Sequence, residues 1–233
     1  MPQAQRAVPQ LPAESQPHAE QNWRQEQPLE LSPTLAAALD AFYENGYHGA
    51  TVRDIARRTG FTVPALYYYH ENKEAMLFAV LEQSIDRVTE LCETALAAAG
   101  GSPAARFCNL IECLVLFMTH SRKTAYLDHE IRALSPAHRV AHVAKRKRVE
   151  LMVVAAVRDG VEVGVFDVVS PAESARAILG MVQSVATWFR PDGPDSPEFV
   201  AQAYVDIAAR AVSATPDVLV SVAAADRRSR PRP

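Results

Sequence analysis

The chain has 233 residues, 48% of them hydrophobic, with only 9 glycines and a formal net charge of −3 at pH 7. That composition supports a proper core, favours helix over sheet, and excludes a globally basic coat, so any DNA-binding surface must come from local placement of charge. The three cysteines lack CxxC spacing, no apolar run reaches the ~18 residues of a membrane span, and no basic-then-apolar leader opens the chain; the expectation is a cytoplasmic protein with no membrane partner.

Residues 1–28 carry Pro2, Pro9, Pro12, Pro17 and Pro28 among Gln, Glu and Ala, and are expected to form a disordered arm. Beyond them the helix signals are regular. Ser-Pro pairs stand at 32–33, 102–103, 135–136, 170–171 and 196–197. In each, the serine hydroxyl can accept from free N–H groups of a first turn, where proline loses no hydrogen bond. Thr51, Thr62 and Asn72 are further caps, so about eight helix starts are predicted. Only Val161–Val169 has a strand-like look, and glycines at 160 and 164 interrupt it. The expected fold is all-α, ending in a flexible basic tail at 216–233.

Residues 29–85 are predicted to form a small head. A helix over Leu35–Asn45 closes at Gly46, a second runs from Thr51 through Arg53 to Gly60, and a third runs from Thr62 to about Tyr69. Two short helices joined by a tight glycine turn make a helix-turn-helix, whose second helix can enter the major groove. On that helix Leu66, Tyr69 and His70 share one face and are expected to pack inward, leaving Val63, Pro64, Tyr67 and Tyr68 outward. No acid interrupts the segment before Glu71. Tyrosine hydroxyls would meet phosphates, Thr62, Val63 and Ala65 would meet base edges or thymine methyls, and Lys73 would add a phosphate contact. Arg53 is a further DNA-contact candidate, although it, Arg57 and Arg58 are weaker evidence because arginines on a short surface helix are usually solvated. The competing reading makes Tyr67–Tyr69 core aromatics of a helical bundle, although three adjacent rings cannot all face one core.

Ala37-Ala38-Leu39-Asp40-Ala41-Phe42, Asn45-Gly46-Tyr47, Thr51-Val52-Arg53-Asp54-Ile55-Ala56, Gly60-Phe61-Thr62, Ala65-Leu66-Tyr67-Tyr68-Tyr69 and Asn72-Lys73-Glu74 follow one another over about 50 residues. In content and spacing this run resembles the TetR-family DNA-binding domain. The resemblance implies a homodimer on a palindromic operator, usually a repressor released by a small ligand. It also implies DNA contacts from Thr51, Thr62, Val63, Pro64, Ala65, Tyr67, Tyr68 and Lys73. His70 departs from the family pattern, which usually has a buried phenylalanine there.

The body, residues 86–215, has no GxSxG, HExxH or phosphate-binding glycine loop, so neither an enzyme nor a cofactor is expected. His138 and His142 lie four apart on one helix, but Arg139, Lys145, Arg146 and Lys147 would repel a cation, and no metal site is expected. The basic run Lys145–Arg148 reads as a solvated face, the competing idea being that one or two of its residues, Arg148 among them, meet an anionic ligand at a pocket mouth. Helices starting at Pro171 and Pro197 are apolar on broad faces. Ala175, Ile178, Leu179, Val182, Phe199, Ala203, Tyr204 and Ile207 are therefore expected to form a four-helix dimer interface.

The residues Ile178-Leu179-Gly180-Met181, Trp188-Phe189-Arg190-Pro191-Asp192-Gly193 and Ser196-Pro197-Glu198 resemble the carboxy-terminal domain of TetR regulators of fatty-acid and sterol breakdown. Several of those sense acyl-CoA thioesters. The resemblance implies a small hydrophobic or amphipathic effector in a pocket lined by Phe107, Ile111, Leu114, Phe117, Met118 and Trp188; ordinary core is the competing role for most of these. Two other functions remain in view. A protein-binding adaptor would lack sequence-selective DNA affinity, and a helical enzyme would need a polar catalytic cluster.

Overall fold

The computed structural model describes residues 22–25 and 29–213; the basic tail and most of the expected arm lie outside the described residues. Those described form α1 (Pro33–Gly49), α2 (Val52–Thr59), α3 (Val63–Tyr69), α4 (Lys73–Ala98), α5 (Pro103–His120) and α6 (Arg122–Tyr126), then a 3-10 segment (Leu127–Ala133), α7 (Pro136–Glu162), α8 (Pro171–Trp188) and α9 (Pro197–Ala211). No strand occurs among them, and the fold is all-α.

The local signals explain the starts. The hydroxyls of Ser32, Ser102, Ser135, Ser170 and Ser196 each accept from the N–H three residues on, as do the side chains of Thr51, Thr62 and Asn72. Each cap satisfies one orphan donor and adds about 1 kcal/mol to its helix. Two elements escaped this reading. Neither α6 nor the 3-10 segment has a side-chain cap bond. Of the 161–169 stretch, the first two residues end α7 and the rest is a loop whose Phe166 is buried against the bare Cα of Gly160, where a Cβ would collide with the ring.

Gly46 has φ 68° and ψ 163°, so regular α1 ends near the predicted point and one more turn carries the chain to Ala50. Gly60 closes α2 in the left-handed region, φ 71°, with its N–H donating to the Ala56 and Arg57 carbonyls. This reversal sets α3 across α2.

The head core contains Leu35, Phe42, Ile55, Leu66, Met76, Leu77 and Leu81; a larger body core contains Val88, Phe107, Leu110, Ile111, Val153, Ile178 and Val205. α4 belongs to both. The 3-10 segment and its C-cap also cross the border, placing Leu127 and Leu134 in the head core. Trp23 corrects the expectation for the N-terminal arm: its indole is only 5% exposed and packs with the body core.

Candidate nucleic-acid interface

α3 is held to the head by one fully buried side chain, Leu66, at 0% exposure. Around it the helix is open. Tyr68 is 85% exposed, Tyr67 is exposed, and Thr62 and Pro64 are exposed with Val63 and Ala65 half-buried beside them. Tyr69, expected to point inward, is instead 62% exposed and stacks on Phe61 with ring centroids 6.3 Å apart. A seven-residue helix needs one anchor, and Leu66 fills that place, so the ring one turn later is displaced to the rim. His70, the C-cap, is half-buried, and burial lowers its pKa from the ordinary histidine value.

The charges on α2 divide into two groups. Arg57 and Arg58 are both bound to Asp54, at 2.6 Å and 2.8 Å, and Arg58 also reaches Glu44 at 2.6 Å. Hydrogen bonds from Arg57 and Arg58 hold the Asp54 carboxyl below its usual range. The acid of α2 is thereby paired with two cations. Arg53 is exposed and has no ion-pair partner among the described residues.

Lys73 differs from the expectation. Its Nζ donates to the Tyr47 carbonyl at 2.7 Å and the Ala50 carbonyl at 2.9 Å, and lies 4.3 Å from the centroid of the Tyr47 ring. The ammonium clamps the end of α1, and a single N–H remains for any phosphate. Thr51, capping α2 next to Ala50, is exposed beside this clamp.

The body holds a cavity of about 730 Å³ between α4, α5, α6, the 3-10 segment, α7 and α8. Leu81, Ile85, Val88, Leu114, Phe117, Met118, Leu179 and Val182 give it apolar walls, and Arg146, Lys147, Arg176, Gln183, Ser184 and Thr187 supply polar groups. Four predicted lining residues lie elsewhere. Phe107 and Ile111 are fully buried core, Phe107 against Phe166. Arg148 pairs with Glu93 at 2.8 Å, and Trp188 is exposed and stacks on Tyr204. Sequence reasoning did not place His142 at the cavity; it is 2% exposed, with Nε2 2.9 Å from Asp128. Arg146, within the basic run already singled out, lies 3.0 Å from the same carboxylate. Their spacing of four on α7 was the available signal. His138 is likewise engaged, with Nδ1 2.8 Å from Glu74 and its ring stacked on Phe78.

The expected dimer face needs a similar correction. Ala175, Ile178 and Val182 point into their own chain's core, and Leu179 lines the cavity. α9 is different: Phe199 is exposed and Ile207 is 46% exposed, with Ala203 and Tyr204 half-buried between them. Trp188, exposed at the end of α8, extends this stripe through its stack on Tyr204. Both helices are apolar on two faces, and periodicity alone does not say which face belongs to the chain's own core.

A capped, acid-free, seven-residue helix following a glycine turn, on a head joined by one long helix to a cavity-bearing helical body, defines a helix-turn-helix transcriptional regulator. The chain belongs to the TetR family. Residues 35–80 match the model for bacterial regulatory proteins of the tetR family, and residues 100–212 match the tetracyclin repressor-like C-terminal domain. Family and fold identify a regulator of transcription, not an enzyme. The transcriptional regulator RutR of Escherichia coli K12 is 44% identical over 52 residues, covering 22% of this chain and 24% of RutR. Among solved structures, the regulator PfmR of Thermus thermophilus is 32% identical, with a TM-score of 0.71 over 77% of this chain and 98% of that one. AibR, crystallised with isovaleryl coenzyme A and operator DNA, is 26% identical, with a TM-score of 0.67 over 75% and 95%. The curated relatives are matched over only about a third or less of their length, 34% and 24% for the first two.

Proposed function

We propose that this regulator is a homodimeric repressor that binds a palindromic operator through α3 and leaves it when an amphipathic anion, of the acyl-CoA thioester class, enters the body cavity. The operator reading rests on the exposure of Thr62, Pro64, Tyr67 and Tyr68 around a single buried anchor. The Phe199–Ala203–Ile207 stripe with Trp188 is an apolar face spaced at i, i+4, i+8, which a two-fold copy of itself would cover.

The effector reading is carried by one observation: the cavity joins a long apolar wall to three cations, Arg146, Lys147 and Arg176. Among the described residues Arg176 is otherwise held only by Glu173, in an exposed pair of the kind worth less than about 1 kcal/mol that a ligand can displace. An acyl chain suits the wall, and phosphate or carboxylate oxygens suit the guanidinium groups. The likeness to AibR supports the same class.

The route to the head is the 3-10 segment. On one side Asp128 and His129 line the cavity; on the other Leu127 sits in the head core and the Glu130 carboxylate accepts the Tyr47 N–H at 3.1 Å. A ligand drawing Arg146 off Asp128 would release that segment and retilt the head. Typical couplings of about 1–3 kcal/mol correspond to a roughly 5–150-fold loss of operator affinity.

The test is a titration of an operator, selected from random duplexes, with acyl-CoA thioesters of increasing chain length, the matching free acids and coenzyme A alone. Release by thioesters supports the reading, whereas release by none of them removes the effector class and leaves operator binding standing. An absence of any selected duplex removes the repressor reading and favours an adaptor.

A further inference from the structure

The N-terminal approach to the head is fixed to the body at a place that neither DNA contact nor the cavity accounts for. Trp23 buries its indole among body side chains, although it is the one tryptophan of the proline-rich segment before the head. Arg24 stacks over that ring, its guanidinium carbon 3.9 Å from the ring centroid. The same guanidinium forks onto Glu112, with Nε 2.6 Å from Oε1 and Nη2 2.9 Å from Oε2, and Nη2 also donates to Asn109 Oδ1 at 3.3 Å. Asn109 in turn donates to the Ala95 carbonyl at 3.0 Å, so the anchor engages α4 as well as α5. A turn in which Gln25 N–H donates to the Asn22 carbonyl closes the segment at 2.9 Å.

Helical geometry gives this docking its significance. At 100° per residue, Asn109 and Glu112 lie on one side of α5, while Leu114, Phe117 and Met118, which line the cavity, lie on the opposite side. The chain leaving Gln25 reaches α1 of the head at Pro33 after a short run that spans at most about 3.6 Å per residue. The outer face of the cavity wall and the first helix of the head are thus joined by a short length of backbone.

We propose that residues 22–25 are a latch: Trp23 and Arg24 pin the chain entering the head onto the outer flank of α5, giving head and body a covalent tether independent of α4. The bidentate fork on Glu112 fixes its direction, and the buried indole fixes its position. The latch limits how far the head can swing from α5, because only residues 26–32 separate Gln25 from the start of α1. This holds whether or not the cavity takes the effector class proposed above.

The experiment measures intrachain distances by pulsed electron resonance on the full-length protein. Nitroxides are placed on Arg57→Cys in the head and Arg158→Cys in the body, both exposed positions, and labelled chains are diluted into unlabelled ones. Trp23→Ala and Arg24→Glu are expected to widen the distance distribution at least twofold. Combining Arg24→Glu with Glu112→Arg should restore its width. Because Trp23→Ala also removes a ring from the body core, the charge-reversal pair decides: a narrow distribution in Arg24→Glu, or no recovery in the swapped pair, overturns the latch. Operator affinity, on a selected duplex, should fall about three- to tenfold in the two single variants and return in the swap; unchanged affinity with a widened distribution would overturn its role in DNA binding.

Discussion

Leu66→Ala tests how the recognition helix is held. Leu66 is the only buried residue of α3, fully enclosed by the head core, and the helix is too short to persist without tertiary contacts. Removing its isobutyl group takes away the transfer free energy of the lost carbons and leaves a cavity, together about 3–5 kcal/mol. The surroundings that could collapse into that space include Ile55, Met76 and Phe42, all tightly enclosed themselves, which argues for the upper half of the range. A head destabilised by about 4 kcal/mol loses roughly three decades in its folding constant. Both tryptophans report on the body, whereas Tyr43, Tyr47 and Tyr67–Tyr69 belong to the head. Urea unfolding followed by tyrosine and tryptophan emission should therefore separate into two transitions in the variant, the tyrosine one shifted to lower urea. A loss below about 1 kcal/mol, or coincident shifts of both signals, would refute the claim that one side chain seats α3.

Three further outcomes follow from the same geometry. Ile207→Asp sets a carboxylate at the C-terminal end of the exposed α9 stripe and should weaken self-association at least about 100-fold, read by sedimentation, with helix content unchanged. Burial lowers the His70 pKa, so the folded head prefers the neutral ring. Its contribution to stability is present above the unfolded value of about 6.5 and is lost as pH falls through the lower folded value; denaturation profiles between about pH 7.5 and 5 should show this, and His70→Phe should remove it. Thr62→Ser keeps the hydroxyl that caps α3 but deletes a methyl, so it should change base preference without weakening the helix, while Tyr67→Phe should reduce affinity for all duplexes alike. Equal effects of both substitutions on every operator would contradict this sorting of contacts.

The legible parts of the fold were those governed by neighbours in sequence. A serine before a proline caps a helix because the acceptor and the free N–H groups lie within three residues of each other, and all five pairs behave that way. The glycine turn between α2 and α3 is equally local. α6 and the 3-10 segment were not legible, because they lack cap bonds and owe their shape to packing between head and body. The same holds for the site. Thr62, Pro64, Tyr67 and Tyr68 are on the open surface as expected, but the fate of Tyr69 depended on Phe61, and that of Lys73 on two carbonyls at the end of α1. The pocket residues were half legible: Leu114, Phe117 and Met118 share a face of α5 that borders the cavity, whereas Phe107 and Ile111 lie deeper in the core. Trp23 carried a signal of its own, a large apolar ring in a sequence otherwise rich in Pro, Gln, Glu and Ala.

Operator recognition requires above all that two copies of α3 be offered together to duplex DNA. Purified protein incubated with a pool of random duplexes, followed by sequencing of the retained fraction, measures this directly. The prediction is one enriched palindrome whose half-site centres lie about 34–36 Å apart, a single turn of the double helix. Retention of the pool without enrichment, or enrichment of a lone half-site bound by one copy, would contradict it.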